Sequence, residues 1–264
     1  MRYARDEVKP SKCSSSLAAL FCGFIASSTC AQPASPPKAP AGIVRAVLAS
    51  TALPSVADAP RYYKLVRVSV PAAKATSYNG AVGFVFLLSG SLEVLAGAER
   101  QLLARGDGFA VAAGRKTILT AAGSEPAVFL HFVLSRANEL DQPMESAPAV
   151  VTELYRNASP IPGLKPGPYE FSLVRVTFSP RLPLNPPHRR SGAALYYVLA
   201  GPGIFAAGGK TELKQTGVAH FEPSDLVHQW GNPADTPLVL IQANISQEGV
   251  PAVIFVPEGS KSAK

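Results

Sequence analysis

Five residues in the second half of the chain have side chains suited to binding or chemistry: His188, Arg190, Tyr196, His228 and Trp230. The guanidinium group of Arg190 presents a planar fork of donors that suits a carboxylate or a phosphate. Tyr196 and Trp230 can supply apolar walls with polar edges for a sugar or an aromatic acid. Residue types of this kind suit a site for a small anionic molecule, provided that the fold brings the five side chains together.

Arg190 and the two histidines also have a purely structural interpretation. Arg190 can pair with Glu222 or Asp225, or extend into solvent, and the two histidines can be satisfied interior imidazoles. Arg189 is expected to point outward, because it alternates with Arg190 on an extended segment. The sequence contains no Gly-x-Ser-x-Gly, no phosphate-binding glycine loop and no paired catalytic carboxylates, so no rival catalytic motif competes with this cluster.

The elements that must position these side chains are predicted to be short β-strands. The chain has 25 prolines and 21 glycines among 264 residues, a density that interrupts long helices. Six short β-rich runs in the second half are separated by turn residues: 171–178, 194–199, 203–207, 218–221, 226–230 and 238–243. Six or more strands without a helical period between them indicate an antiparallel sandwich or a small barrel.

The chain also repeats itself along its length. Three segments of the first half recur in order in the second: Leu65–Val70 as Leu173–Phe178, Phe86–Gly90 as Tyr197–Gly201, and Pro126–Leu130 as Pro237–Ile241. Gly106 likewise recurs as Gly217. The offset between the copies grows by three after the first of these segments, which places a three-residue insertion in Ser179–Pro187. The repeat predicts two homologous domains, each large enough to have its own core.

The second copy resembles the cupin superfamily. The segment His188-Arg-Arg190, three residues, Ala194, and then Tyr197-Val-Leu-Ala-Gly201 is similar to the first motif of that family. The segment Gly217, five residues, Pro223-Ser-Asp225, two residues, His228, three residues and Asn232 meets every spacing of the second motif. The first copy shows only the scaffold, in Phe86–Gly90 and Gly106–Gly114. The resemblance implies an all-β fold of two tandem cupin-type barrels, of the double-stranded β-helix or jelly-roll kind.

The resemblance also implies a divalent metal held by three histidines and a glutamate, a donor set suited to iron, manganese, nickel or zinc. The second copy keeps His188 and His228, but has Arg190 where another histidine belongs and Ala194 where the glutamate belongs. A guanidinium group has no lone pair to donate and keeps its charge. The four first-copy positions hold poor ligands: Ser77, Asn79, Gly83 and Thr117. We therefore expect no resident cofactor, with a divalent metal at His188 and His228 as the alternative. We expect both rings to face one cavity, with Arg190 at its rim.

The segment 1–31 is typical of a signal peptide. Four basic residues, Arg2, Arg5, Lys9 and Lys12, precede the ten-residue apolar run 17–26, and Ala31 offers a cleavage position before Gln32. The apolar run is about half the length of a transmembrane helix. All three cysteines lie in this segment, so the mature chain would contain none. We expect an exported protein, periplasmic or extracellular.

The sequence thus predicts a signal peptide (1–31), a Pro/Ala-rich linker (32–42), a degenerate N-terminal barrel (43–140), a C-terminal barrel (150–250) and a tail (251–264). The leading hypothesis is an exported bicupin that binds a small anionic molecule in the C-terminal barrel. The alternatives are a metal-dependent dioxygenase or isomerase and a structural or interaction protein. Basic residues are dispersed, so we expect no nucleic-acid partner. We also expect a small-molecule partner and no stable membrane span after cleavage, with a homodimer left open.

Overall fold

The computed structural model describes residues 41–257, which form nineteen β-strands and one short 3₁₀ helix, Ala137–Glu139. The first nine strands are β1 (Ile43–Leu53), β2 (Arg61–Val70), β3 (Ala75–Tyr78), β4 (Val82–Ser89), β5 (Leu92–Ala96), β6 (Glu99–Leu103), β7 (Gly108–Val111), β8 (Thr117–Ala121) and β9 (Ala127–Arg136). The remaining ten are β10 (Val150–Arg156), β11 (Tyr169–Phe178), β12 (His188–Arg190), β13 (Ala193–Ala200), β14 (Gly203–Ala207), β15 (Lys210–Lys214), β16 (Ala219–Glu222), β17 (His228–Gly231), β18 (Leu238–Gln247) and β19 (Val253–Phe255).

Three predicted segments fall partly or wholly outside these residues: the signal peptide 1–31, most of the linker 32–42, and the end of the tail 251–264. Within residues 41–257, no helix has the length and apolar character needed to cross a membrane.

The strands form two β-barrels, which confirms the predicted fold class. The first barrel has sheets ordered β10-β2-β9-β4-β7 and β3-β8-β5-β6, and the second has sheets ordered β1-β11-β18-β13-β16 and β15-β14-β17-β12-β19. Every strand pair described is antiparallel. Such antiparallel double-sheet barrels are the jelly-roll arrangement.

The strand positions confirm the internal repeat. Strand β11 matches β2 at both ends, with the same offset that relates Leu173 to Leu65. Strands β13, β14, β15, β16 and β18 match β4, β5, β6, β7 and β9 at both ends, with the offset that relates Tyr197 to Phe86. Gly106 and Gly217 both precede the equivalent strands β7 and β16, with φ of 92° and 88°. A residue without Cβ adopts such angles without strain.

The two barrels exchange their first strands. Strand β1 pairs with β11 of the second barrel, and β10 pairs with β2 of the first barrel. The boundaries 43–140 and 150–250 remain predictions. The first strand within each of these ranges pairs with the other barrel. Strand β19 lies within the predicted tail and pairs with β12, so residues 253–255 are part of the second barrel.

The alternating residues of β2 explain how the barrels pack. Val66 and Val68 face the interior of the first barrel, whereas Tyr63 and Leu65 join a core shared with the second barrel, because successive side chains of a strand point to opposite faces. In the shared core, the Tyr63 hydroxyl group donates to the Ala243 carbonyl oxygen at 3.0 Å. Both barrels belong to one compact unit.

Candidate functional site

The predicted spacing brings the two histidines of the second barrel together. His188 on β12 is the direct cross-strand partner of His228 on β17, and the ring centroids lie 4.3 Å apart. Arg190 and Trp230 lie two residues further along each strand and therefore share the same interior face. All four side chains are buried.

The buried carboxylate of Glu222 on β16 organises this cluster. Arg190 Nε donates to Glu222 Oε2 at 3.1 Å, and Trp230 Nε1 donates to Glu222 Oε1 at 2.7 Å. His228 Nε2 also lies 3.0 Å from Oε2, although not in hydrogen-bond geometry. We call His188, Arg190, Tyr196, Glu222, His228 and Trp230 the Glu222 cluster.

Sequence reasoning named Glu222 only as an optional partner of Arg190, and the structure gives it a larger role. In the register of β13 and β16, Glu222 lies directly opposite Ala194. Ala194 is the position at which the family has its glutamate, so the neighbouring strand supplies a carboxylate to the same part of the barrel. The sequence did contain a signal for this role, because Glu222 lies in a strand whose alternate residues face inward. A buried glutamate is rare unless it is paired, so an inward Glu222 implies a partner inside the barrel.

Arg190 occupies the barrel interior, which corrects the expectation that it lies at the rim. It is only 2% exposed, and its guanidinium carbon lies 5.4 Å from the centre of the Tyr196 ring. The pairing with Glu222 explains this burial, because a guanidinium group enters a barrel interior only with a counter-ion. Arg189 does point outward, where it forms an ion pair with Asp225.

The hydrogen bonds of the histidines indicate their tautomers. His188 Nδ1 lies 3.0 Å from the Pro186 carbonyl oxygen, and His228 Nδ1 lies 2.8 Å from that of Leu226. A carbonyl oxygen only accepts, so Nδ1 carries the proton in both rings and donates it. Burial, the His228 ring and the charge of Arg190 lower the pKa of His188 from 6.5 to about 3. His188 is therefore neutral at physiological pH.

Glu222 is ionised in this environment. Burial by itself raises the pKa of its carboxyl group. The neighbouring His228 and Arg190 lower this pKa by more than burial raises it, so the net pKa lies well below 4.5. The cluster thus contains a fixed cation and a fixed anion in direct contact.

The two predicted aromatic residues stack on each other in the interior. The rings of Tyr196 and Trp230 lie 5.5 Å apart at 29°. His220, which sequence reasoning could not place, lies opposite Tyr196 in the register, with its ring 4.2 Å from that of Phe205. Burial is the main cause that lowers the pKa of His220 to about 4.

Several polar atoms of this interior have no hydrogen-bond partner among residues 41–257. They are Arg190 Nη1, Tyr196 Oη, His220 Nε2, His228 Nε2 and Asn244 Oδ1. The register places Asn244 opposite Ala194 and His220 opposite Tyr196, so these groups occupy adjacent rows of one barrel face. Buried polar groups are costly without partners, so this barrel face holds several unsatisfied donors and acceptors.

The residues present do not fit the divalent metal that the family resemblance implies. His188 and His228 supply two imidazole nitrogens, but both oxygens of Glu222 already accept bonds from Arg190 and Trp230. The positively charged guanidinium group of Arg190 contacts Glu222, the carboxylate that would have to bind the ion. Within the described part of the chain, no group of three His, Cys, Asp or Glu residues is arranged to hold a metal.

The first barrel does not assemble a ligand set at the four equivalent positions. Ser77, Gly83 and Thr117 lie on β3, β4 and β8. The polar feature of this interior is instead a buried pair that sequence reasoning missed, in which His131 Nδ1 lies 2.5 Å from Glu145 Oε1.

Residues 174–244 match the sequence pattern of the family described as Cupin domain. The fold is similar to that of AerE from Microcystis aeruginosa, with 17% identity, a TM-score of 0.50, and coverage of 73% of this chain and 96% of that chain. It is also similar to Bacillus subtilis oxalate decarboxylase, in a structure concerned with its Mn(II) centres, with 12% identity, a TM-score of 0.50, and coverage of 80% and 79%. No curated protein matches the sequence significantly.

Residues 174–244 therefore form a cupin domain, as the sequence resemblance implied. The described chain has a bicupin-like β-barrel fold.

The lowered pKa values predict that acid destabilises the protein. The folded-state pKa values of His188 and His220 lie below 6.5, so the unfolded chain binds more protons below that pH. The contribution of these two neutral histidines to the free energy of unfolding is complete above pH 6.5 and is lost as the pH falls towards 4. We expect the free energy of unfolding to decrease from pH 8 to pH 5, by on the order of 2 kcal/mol per histidine.

Urea denaturation at each pH measures this decrease. A His220→Gln variant should lose less stability than the wild type over the same range. A free energy of unfolding that is constant or larger at pH 5 would contradict the assignment of buried neutral histidines.

Proposed function

We propose that the second barrel binds a small anionic molecule that carries hydroxyl groups, such as a hydroxy acid or a sugar acid. The observation that carries this proposal is the set of unpartnered polar atoms around the Glu222 cluster. Arg190 Nη1 and the Tyr196 hydroxyl group can donate to an acidic group, and His220 Nε2 and Asn244 Oδ1 can accept from hydroxyl groups.

The charges of the barrel support an anion. Glu222 neutralises Arg190, and a second arginine, Arg45 on the exchanged strand β1, donates to Gln242 Oε1 at 3.0 Å. Gln242 is the cross-strand partner of Tyr196, so Arg45 approaches the same row of residues. Two guanidinium groups near one carboxylate leave an excess of positive charge, which favours an acidic ligand.

The stacked aromatic pair supplies an apolar surface beside these polar groups. Trp230 Nε1 donates to Glu222, whereas the Tyr196 hydroxyl group has no partner in the described residues. Tyr196 therefore has a free polar edge next to an apolar ring face, a combination that suits a sugar ring or an aromatic acid.

The two alternative functions have less support. A metal-dependent dioxygenase or isomerase would require a carboxylate free to bind the ion, and Glu222 is engaged by Arg190 and Trp230. A purely structural protein would leave the unpartnered atoms of the barrel interior unexplained. Binding of a small anionic molecule is the function we therefore propose.

Removing the interior ion pair should weaken ligand binding. The double change Arg190→Met with Glu222→Gln removes both charges together and so avoids leaving one buried charge unpaired. We expect hydroxy acids and sugar acids to bind the wild type and to bind this variant at least about tenfold more weakly, because charge-assisted hydrogen bonds are lost. Isothermal titration calorimetry measures the affinity of each acid for the wild type and for the variant. Matched neutral sugars serve as controls that lack the acidic group.

The matched control applies the same chemistry on the outside of the barrel. Arg189→Met with Asp225→Asn removes the exposed ion pair of the adjacent residue and should leave affinity unchanged. Equal effects of the two double variants, or no binding by any acid of the panel, would refute the proposed site.

We also propose that the protein acts outside the cytoplasm. The basic start, the ten-residue apolar run and the small residues before Gln32 support this proposal. Mass spectrometry of protein from the native cell should find an N-terminus near Gln32 and no thiol. A Leu20→Asp variant, which interrupts the apolar run, should retain residue Met1 or Arg2 and stay in the cytoplasm. A wild-type cytoplasmic protein with an intact N-terminus would contradict export.

A further inference from the structure

The Glu222 cluster is enclosed by the second barrel. None of its six side chains is more than 3% exposed. A small molecule therefore reaches these side chains only through an opening at an edge of the barrel, where a strand of one sheet has no strand opposite it.

The two sheets of the second barrel leave such an edge beside β1. Tyr196 on β13 stacks on Trp230 of β17. Likewise, the ring of His220 on β16 lies 4.2 Å from that of Phe205 on β14. With these strands facing each other, the strand orders place β18 opposite β12 and β11 opposite β19. Among residues 41–257, no strand of the other sheet remains to lie opposite β1.

The exposure of two paired valines supports this gap. Val47 on β1 and Val174 on β11 are cross-strand partners, so both side chains point to the inner face of the sheet. Val174 is 4% exposed and belongs to the core of the barrel, whereas Val47 is 65% exposed. The cover over the inner face therefore ends between β11 and β1.

The first barrel has a cavity at the equivalent place. Strand β10 pairs with β2 in the register in which β1 pairs with β11, including the bulge, so Val151 corresponds to Arg45 and Val66 to Val174. A cavity of about 90 Å³ lies between Val151, Val66 and the segment 142–145. This segment corresponds to β19 by the offset that relates β9 to β18. The space beside the exchanged strand is thus a feature of the repeat.

Arg45 is the cation at the opening of the second barrel. It points to the same face as Val47, two residues further along β1. The residue is exposed, yet its Nη2 donates to Oε1 of the buried Gln242 at 3.0 Å, so its side chain runs from solvent to the interior. Burial and the charge of Arg190 lower the pKa of Arg45 to about 10. Arg45 is therefore charged at neutral pH and close enough to interact with the Glu222 cluster.

No carboxylate neutralises Arg45 within the part of the chain that the structure describes. Arg45 forms no ion pair there, and strands β1, β18 and β19 contain no acidic residue. On β11, Glu170 lies six positions from Val176, the cross-strand partner of Arg45, which is about 20 Å along the strand. Since Arg190 and Glu222 neutralise each other, Arg45 gives the opening a net positive charge.

We propose that small molecules enter the second barrel beside β1, between this strand and β19, and that Arg45 makes the entrance selective for anions. A guanidinium group attracts an anion and pairs with a carboxylate through two parallel hydrogen bonds, whereas it repels a cation. This inference rests on the proposed function, since it gives the acidic ligand of the Glu222 cluster its route.

Fluorescence quenching measures entry into the barrel on the full chain, because Trp230 is the only tryptophan of the sequence and lies in the Glu222 cluster. Iodide, caesium and acrylamide serve as an anionic, a cationic and a neutral quencher at constant ionic strength. Each quenching constant is divided by that of free N-acetyltryptophanamide. For the wild type, we expect the normalised constant of iodide to exceed that of caesium at least about threefold.

Two variants test the charge and the location of the entrance. Arg45→Gln should lower the ratio of iodide to acrylamide quenching at least about threefold. Its matched control is Arg175→Gln, because Arg175 is an exposed arginine on the opposite face of the same sheet. Val47→Glu should lower the same ratio by placing a negative charge at the entrance. Val44→Glu is its control, since Val44 is 66% exposed and points to the other face of β1, and both controls should leave the ratio unchanged.

Equal normalised quenching by iodide and caesium, no quenching by acrylamide, or equal effects of Val47→Glu and Val44→Glu would overturn the proposed entrance. Calorimetry with the hydroxy acids and sugar acids separates this result from a failure of the proposed function. Acids that bind while Arg45→Gln and Val47→Glu leave the quenching ratio unchanged contradict the entrance alone. The expected quenching without binding of any acid contradicts the proposed ligand alone.

Discussion

The interior of the second barrel depends on the ion pair between Arg190 and Glu222. Both side chains are almost completely buried, and neither charge would be stable there alone. Removing one partner of such a pair typically costs about 3–5 kcal/mol. The pair also determines the state of its neighbours, since Trp230 donates to the same carboxylate and the charge of Arg190 helps to keep His188 neutral. The positive charge that pairs with Glu222 thus comes from a side chain of the protein itself, Arg190.

This arrangement gives a bicupin fold whose polar interior is built on a tethered cation. The backbone scaffold, including the His188–His228 pair, keeps the arrangement expected from the two motifs. The chemistry differs because a guanidinium group donates hydrogen bonds, whereas a metal accepts electron pairs. The proposed function rests on this difference, because hydrogen-bond donors of this kind suit acidic and hydroxylated molecules.

Local sequence patterns predicted the strands and the repeat well. Alternation of apolar residues in Leu65–Val70 and in Leu173–Phe178 matches strands whose two faces enter different cores. The motif spacing likewise predicted that His188 and His228 meet. In contrast, the role of Glu222 depends on its register opposite Ala194, and the exchange of β1 and β10 depends on which edges meet in space. Neither is encoded within a short segment.

Metal content, measured by mass spectrometry on wild-type protein and on an Arg190→His variant, tests the central role of Arg190 most directly. The variant adds a third imidazole on the face of His188 and frees Glu222, so four ligands become available. We predict little metal in the wild type, stoichiometric Mn, Fe, Ni or Zn in Arg190→His, and no uptake by the matched variant Arg189→His on the outer face. Stoichiometric metal in the wild type that survives chelation would contradict the account, as would an Arg190→His variant that folds and takes up none.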